Sequence, residues 1–126
     1  IMDGGGNDII QSNCVSCAGV TNAIDAARML IQRTASDGTV QHIVFFFYPY
    51  FPNFPALRAD AMDFMRPMMQ SICAQSTVPC HFIDLRPIWE GHPEYTGSDN
   101  LHPSVTGARV LSRTIWNIMQ QNCIAQ

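Results

Sequence analysis

Between Ala18 and Arg33 the apolar residues Val20, Ala23, Ile24, Ala27, Leu30 and Ile31 recur at helical spacing, which predicts a helix. Thr34 to Thr39, with Asp37-Gly38, breaks that period and turns the chain. His42 to Tyr48 is a short, continuously apolar run rich in Val, Ile and Phe, and it predicts a strand buried on both faces, as in a parallel sheet. Tyr48 to Pro55 carries three prolines among aromatics and reads as a loop. Ala56 to Ala74 predicts a second helix with Leu57, Ala61, Met65, Met69 and Ile72 on one face; Pro67 is expected to kink or split it near Arg66. Met62, Met65, Met68 and Met69 read as core filler on this helix.

His81 to Leu85 predicts another short strand, and Ile88 to Asn100 a Gly- and Pro-containing loop. From about Ser104 to Gln121, Ala108, Leu111, Ile115, Ile118 and Met119 again sit at helical spacing. At the start of the chain, Ile1-Met2-Asp3 followed by three glycines reads as the end of a strand entering a tight loop. The alternation of strands and helices describes one α/β unit over residues 1–126, with a parallel sheet covered by helices.

Composition narrows the classes. Hydrophobic residues make up 47% and charged residues 13%, which supports a core and argues against disorder. All seven basic residues are Arg, the net charge is −3, and no basic patch appears, so nucleic-acid binding is not expected. The apolar run Ile43 to Phe47 is far short of the roughly 20 residues a membrane span needs. Five cysteines in a short chain suggest an oxidising compartment, hence a secreted or periplasmic protein. Cys73 and Cys80 flank a short connection and can pair; Cys14, Cys17 and Cys123 are left open. The odd count leaves a free thiol or a partner elsewhere. A zinc reading would use Cys14, Cys17, Cys80 and His81, but the second pair lacks chelating spacing, so no metal is assigned; a redox role for Cys14-x-x-Cys17 is the other weaker option.

Two groups of residues carry chemistry. Asp99 stands three residues before His102, close enough to bend back, accept a hydrogen bond from one imidazole nitrogen and leave the other to act as a base. Pro103 restricts His102 to extended backbone and can occupy the first turn of the next helix. The plainer alternative is an Asp in a polar turn and a His near a helix start. In Gly5-Gly6-Asn7-Asp8, an amide donor on a glycine loop at a strand end is well placed for developing negative charge. Asp8 either supports that loop or caps the next helix; a flexible Gly-rich terminus is the bland reading. His42, His81 and His92 show no evident partners, and Arg86 either positions a substrate or faces solvent.

Taken together, Gly5-Gly6-Asn7-Asp8 and Asp99-Asn100-Leu101-His102 resemble two of the four blocks of the SGNH (GDSL-type) ester hydrolases. The resemblance implies the C-terminal portion of a flavodoxin-like, three-layer α/β/α domain. It implies a carboxylesterase, lipase or carbohydrate-deacetylating esterase that uses no cofactor, with His102 and Asp99 in the triad and Asn7 in the oxyanion hole. Tyr48, Tyr50 and Phe51, at the end of the predicted His42–Tyr48 strand and in the loop after it, are candidates for an acyl or aromatic substrate pocket, or else pack against the sheet. The Gly-Asp-Ser block with the nucleophile and the second block's glycine have no match here. None of Ser12, Ser16, Ser98 and Ser104 sits in a strand-to-helix elbow. The expected partner is therefore the N-terminal half of the same domain, as a separate or cleaved chain, together with a small ester. The alternative is a non-catalytic binding or regulatory fragment that keeps the fold without a nucleophile.

Overall fold

A computed structural model of the chain describes residues 1–12, 14–50 and 56–124. The elements in order are α1 (Gly6–Gln11), α2 (Ala18–Ala35), β1 (Ile43–Phe47), α3 (Ala56–Ala74), β2 (Cys80–Asp84), α4 (Arg86–Trp89), a 3-10 turn at Pro93–Tyr95, and α5 (Val105–Gln121).

β1 and β2 pair in parallel with Ile43 opposite Cys80 and Phe47 opposite Asp84. Met2 lies on the other side of β1: its N–H donates to Val44 O at 2.9 Å, and Phe46 N donates to Met2 O at 3.2 Å. The backbone thus runs in three adjacent parallel segments, Met2, β1 and β2, the first only a single bridge long. Each parallel step needs a crossover, and α3 supplies the one from β1 to β2.

Alternation along β1 divides the core, because successive side chains point to opposite faces. Ile43, Phe45 and Phe47 pack with the buried stripe of α2 (Val20, Ile24, Ala27, Ile31) and with Met62, Met65 and Met69 of α3. Val44 faces the other way, onto Ile83, Leu85 and Trp89, against which Val110, Leu111, Ile115 and Ile118 of α5 lie half-buried. Helices therefore cover both faces of the sheet, as the α/β reading expects. Cover is thinner on the α5 side, where Gly107 is the helix's buried residue and Trp116 is exposed.

Several local expectations are revised. Leu30 lies at the edge of the α2 stripe and is exposed beside Met29. Pro67 does not split α3, which runs unbroken from Ala56 to Ala74. Pro removes one helical hydrogen bond, but buried Met62 and Met65 before it and Met69 and Ile72 after it anchor both halves to the same sheet face. Met68 is only half-buried. The Ile88–Asn100 segment is not uniform loop, since it contains the end of α4 and the 3-10 turn. The Gly-rich opening is a helix start as much as a loop: Gly5 adopts φ 89°, and α1 begins at Gly6. Phe51 lies outside the described residues, as does the side chain of Leu57.

Cys73 pairs with Cys80, joining the end of α3 to the start of β2, and Cys14 pairs with Cys17. Cys123 is free and exposed. Two disulfides fit an oxidising environment and consume the thiols of the zinc alternative. Among the described residues, no helix is long and apolar enough to cross a membrane.

Candidate active site

The Asp99–His102 pair forms inside a tight turn. Thr96 and Pro103 are bridged antiparallel, Gly97 N donates to His102 O at 2.7 Å, and Asn100 N donates to Gly97 O at 3.0 Å. Asn100 takes the left-handed conformation at φ 58°, a position Asn tolerates better than most residues. A side chain at Gly97 would press on His102 O, so glycine lets the turn close.

Within this turn Asp99 makes three bonds. Its Oδ2 lies 2.6 Å from His102 Nδ1, and its Oδ1 accepts the N–H groups of Leu101 and His102, each at 3.0 Å. The His102 bond is the largest cause, with the two backbone donors adding to it, that holds the Asp99 carboxyl down at about 2. Asp99 is therefore ionised at neutral pH, and it engages one imidazole nitrogen while Nε2 remains for proton transfer. The His102 side chain is 75% exposed.

What holds this turn is the start of α5. Ser104 is its N-cap: the Oγ accepts Gly107 N at 3.1 Å and donates to Glu94 O at 2.6 Å. Pro103 thus precedes the cap rather than filling the first helical turn. A Cβ at Gly107 would overlap the Tyr95 carbonyl, so glycine lets α5 sit directly on the 3-10 turn. Tyr95 in turn stacks on His92 with centroids 4.4 Å apart and meets Trp89 edge-on.

Asn7 occupies the first turn of α1 rather than an extended loop. The preceding glycines are pinned to the end of β1 by Tyr48, whose hydroxyl donates to Asp3 Oδ2 at 2.9 Å. Burial, then the Asp3 carboxylate, push the Tyr48 phenol above its ordinary range, so it stays a neutral donor. The Tyr48 ring also packs close to Gly6, where a Cβ would meet its atoms at 3.0–3.2 Å.

Residues of both motifs line one cleft of about 520 Å³: Gly5 to Asp8 of the first, and Leu101 and His102, but not Asp99, of the second. Asp3 to Ile10, Phe46, Tyr48, Leu85 and Trp89 line it together with Thr96, Leu101, His102 and Pro103. Asn7 and His102, from opposite ends of the sequence, both line it, as does Tyr48. None of Ser12, Ser16, Ser98 and Ser104 does, and Tyr50 does not either.

Tyr50 belongs to a neighbouring depression with Asp84, Arg86 and Glu90, where its hydroxyl donates to Asp63. Arg86 does not line the cleft, and its side chain, 35% exposed, is held by carboxylates rather than free in solvent. It pairs with Asp84 Oδ2 at 2.8 Å and Asp63 Oδ1 at 3.1 Å. Hydrogen bonds to Asp84, against some burial, push its guanidinium further up.

Arg66, which the sequence reading passed over, lies only 2% exposed beneath this network. It donates to Asp84 Oδ1 at 2.6 Å and to Tyr48 O at 2.9 Å, and its ring-facing carbon sits 4.9 Å over Phe47. Burial raises the Asp84 carboxyl, but hydrogen bonds from Arg86 and the charges of Arg66 and Arg86 outweigh it, and the net shift is downward. The signal was an Arg inside the Met62–Met65–Met69 stripe, a place where a charge persists only when paired. Its effect is to tie the ends of β1 and β2 together directly behind Tyr48.

The remaining histidines do have partners. His42 Nδ1 and His81 Nε2 lie 3.2 Å apart, toward the N-terminal ends of the strands and away from the cleft. His92 Nδ1 lies 2.9 Å from Glu94 Oε1. Among the described residues, no group of three His, Cys, Asp or Glu side chains is arranged to hold a metal ion. No protein-family model, curated protein or solved structure matches this chain.

Proposed function

We propose that this chain is the Asn- and His-bearing portion of an SGNH-type serine ester hydrolase, and that the cleft between Asn7 and His102 receives the ester. The observation that carries the reading is the shared cleft: two motifs from opposite ends of the chain line one cavity, and one of them contains a carboxylate–imidazole pair 2.6 Å apart. The parallel order Met2, β1, β2 agrees with strands three to five of a flavodoxin-like sheet. Phe46, Trp89 and Leu101 give the cleft an apolar lining suited to an acyl or aryl group.

In this reading the nucleophilic serine and the second-block glycine come from an N-terminal part of the domain outside this chain, pairing beyond Met2. The serine oxygen attacks the ester carbonyl carbon while His102 Nε2 takes its proton. The Asn7 amide donates to the oxyanion, a contribution of about 10²–10³ in rate. As the tetrahedral species collapses, the C–O bond to the alcohol breaks and His102 returns the proton to the leaving oxygen. Water then repeats the sequence on the acyl-enzyme, releasing the acid. Asp99 keeps the ring oriented and stabilises the imidazolium. The route uses no metal or organic cofactor. A secreted or periplasmic setting agrees with the disulfides, and small carboxylic esters, lipids and acetylated sugars are the substrate classes.

The test is p-nitrophenyl acetate hydrolysis by the complete protein and its His102→Ala variant, with a loss of about a thousandfold or more expected. Undiminished turnover would reject the assignment. A second reading, a binding or regulatory fragment without a nucleophile, is favoured by the lack of any of the four candidate serines along the cleft. A fluorophosphonate probe separates the two: an adduct on a serine outside residues 1–126 supports the enzyme, and no adduct supports the fragment.

A further inference from the structure

Cys14 and Cys17 lie half-buried on the connection between α1 and α2. Cys17 is the N-cap of α2, an 18-residue helix whose first-turn N–H groups receive no hydrogen bond from the cap side chain and whose first turn holds no acidic residue. The unsatisfied amides and positive end of the helix dipole therefore act on the Cys17 sulfur without a competing carboxylate from that turn. Ser12, only 8% exposed, places its Oγ 3.1 Å from Cys17 Sγ. The same hydroxyl donates to the Cys14 carbonyl at 2.7 Å while the disulfide is closed, and it lies within hydrogen-bonding distance of a thiolate formed on Cys17. Cys73–Cys80 is the opposite case: Cys73 is 2% exposed and sits in the last turn of α3, at the negative end of a helix.

We propose that Cys14–Cys17 is a redox-active disulfide that exchanges with an external dithiol, while Cys73–Cys80 is a structural bridge. The inference does not depend on the ester-hydrolase reading. One thiolate of the dithiol attacks Cys14 Sγ; a mixed disulfide forms as the Cys14–Cys17 bond breaks, and the electron pair leaves on Cys17 Sγ. The better-stabilised thiolate is the better leaving group. The second thiol of the reagent then displaces Cys14. The dithiol ends oxidised to its own disulfide, and Cys14 and Cys17 end as thiols after taking two protons from solvent.

The test is graded dithiothreitol on the folded protein, followed by acid quench, iodoacetamide alkylation and peptide mass mapping. Cys14–Cys17 is expected to open at a dithiol concentration at least about tenfold below that for Cys73–Cys80, with unchanged circular dichroism. A brief pulse of glutathione is expected to leave its adduct on Cys14. Ser12→Ala is expected to raise the Cys14–Cys17 midpoint about fivefold, the worth of one lost hydrogen bond, without moving that of Cys73–Cys80. Simultaneous reduction of both bridges, reduction only on unfolding, or a glutathione adduct on Cys17 would each overturn the proposal. The dithiothreitol and glutathione readouts use the unaltered protein and stand even if the Ser12 variant misfolds.

Discussion

His102 Nδ1 lies 2.6 Å from Asp99 Oδ2, and the other oxygen of that carboxylate takes two backbone N–H groups of the same turn. The carboxylate therefore orients the imidazole and builds the turn at once.

This dual role has a pH signature. The Asp99 carboxyl is held at about 2 against an ordinary 3.8, a depressed folded-state value. Its stabilising contribution is fully present above about pH 4 and is lost as pH falls through about 2. Carbon-detected NMR titration should find the Asp99 carboxyl midpoint near 2, with the Leu101 and His102 amide shifts moving alongside. A midpoint near 4 would mean the three bonds are not formed in solution.

Asp99→Asn keeps an oxygen acceptor for the backbone but no longer enforces the imidazole tautomer. Under the proposed ester-hydrolase function, kcat for p-nitrophenyl acetate is expected to fall by about 10²–10⁴ with little change in KM. An unchanged kcat would show that Asp99 serves the turn alone.

Behind the cleft, Asp84→Ala strips the partner from Arg66 Nη1 and leaves a guanidinium only 2% exposed without its counter-charge. Removing one member of a buried pair costs about 3–5 kcal/mol, and the partial exposure of Asp84 points to the lower end. Urea unfolding should register a loss of about 3 kcal/mol, while Asp60→Ala, at an exposed position on α3, serves as the near-neutral control.

Gly107→Ala drives a methyl group into the Tyr95 carbonyl, which is backbone and cannot yield as a side chain would. Overpacking of this kind costs about 1–3 kcal/mol. Thermal unfolding should show the loss, and NMR shifts at Tyr95, Gly97 and His102 should move with it, because Ser104 and Tyr95 position that turn. Shifts confined to α5 would show that the helix start does not control the dyad.

The sequence by itself determined what depends on neighbours a few residues away. The 3.6-residue apolar period places α2, α3 and α5, and the run Ile43–Phe47 appears as a doubly buried strand. The Asp99–His102 bond was legible for the same reason, since a turn can join residues three apart without help from the rest of the fold. Pro67 shows where local rules fail: burial on both sides of it outweighed one lost hydrogen bond. Everything that joins distant segments was decided by the tertiary structure. The His42–His81 contact, the burial of Arg66 against Asp84, and the bond from Tyr48 to Asp3 all follow from the relative placement of Met2, β1, β2 and the face of α3 packed against them. The meeting of Asn7 and His102 at one cleft follows from the same packing. Such contacts carry no spacing signal, because a parallel register, and not separation along the chain, sets which residues become neighbours.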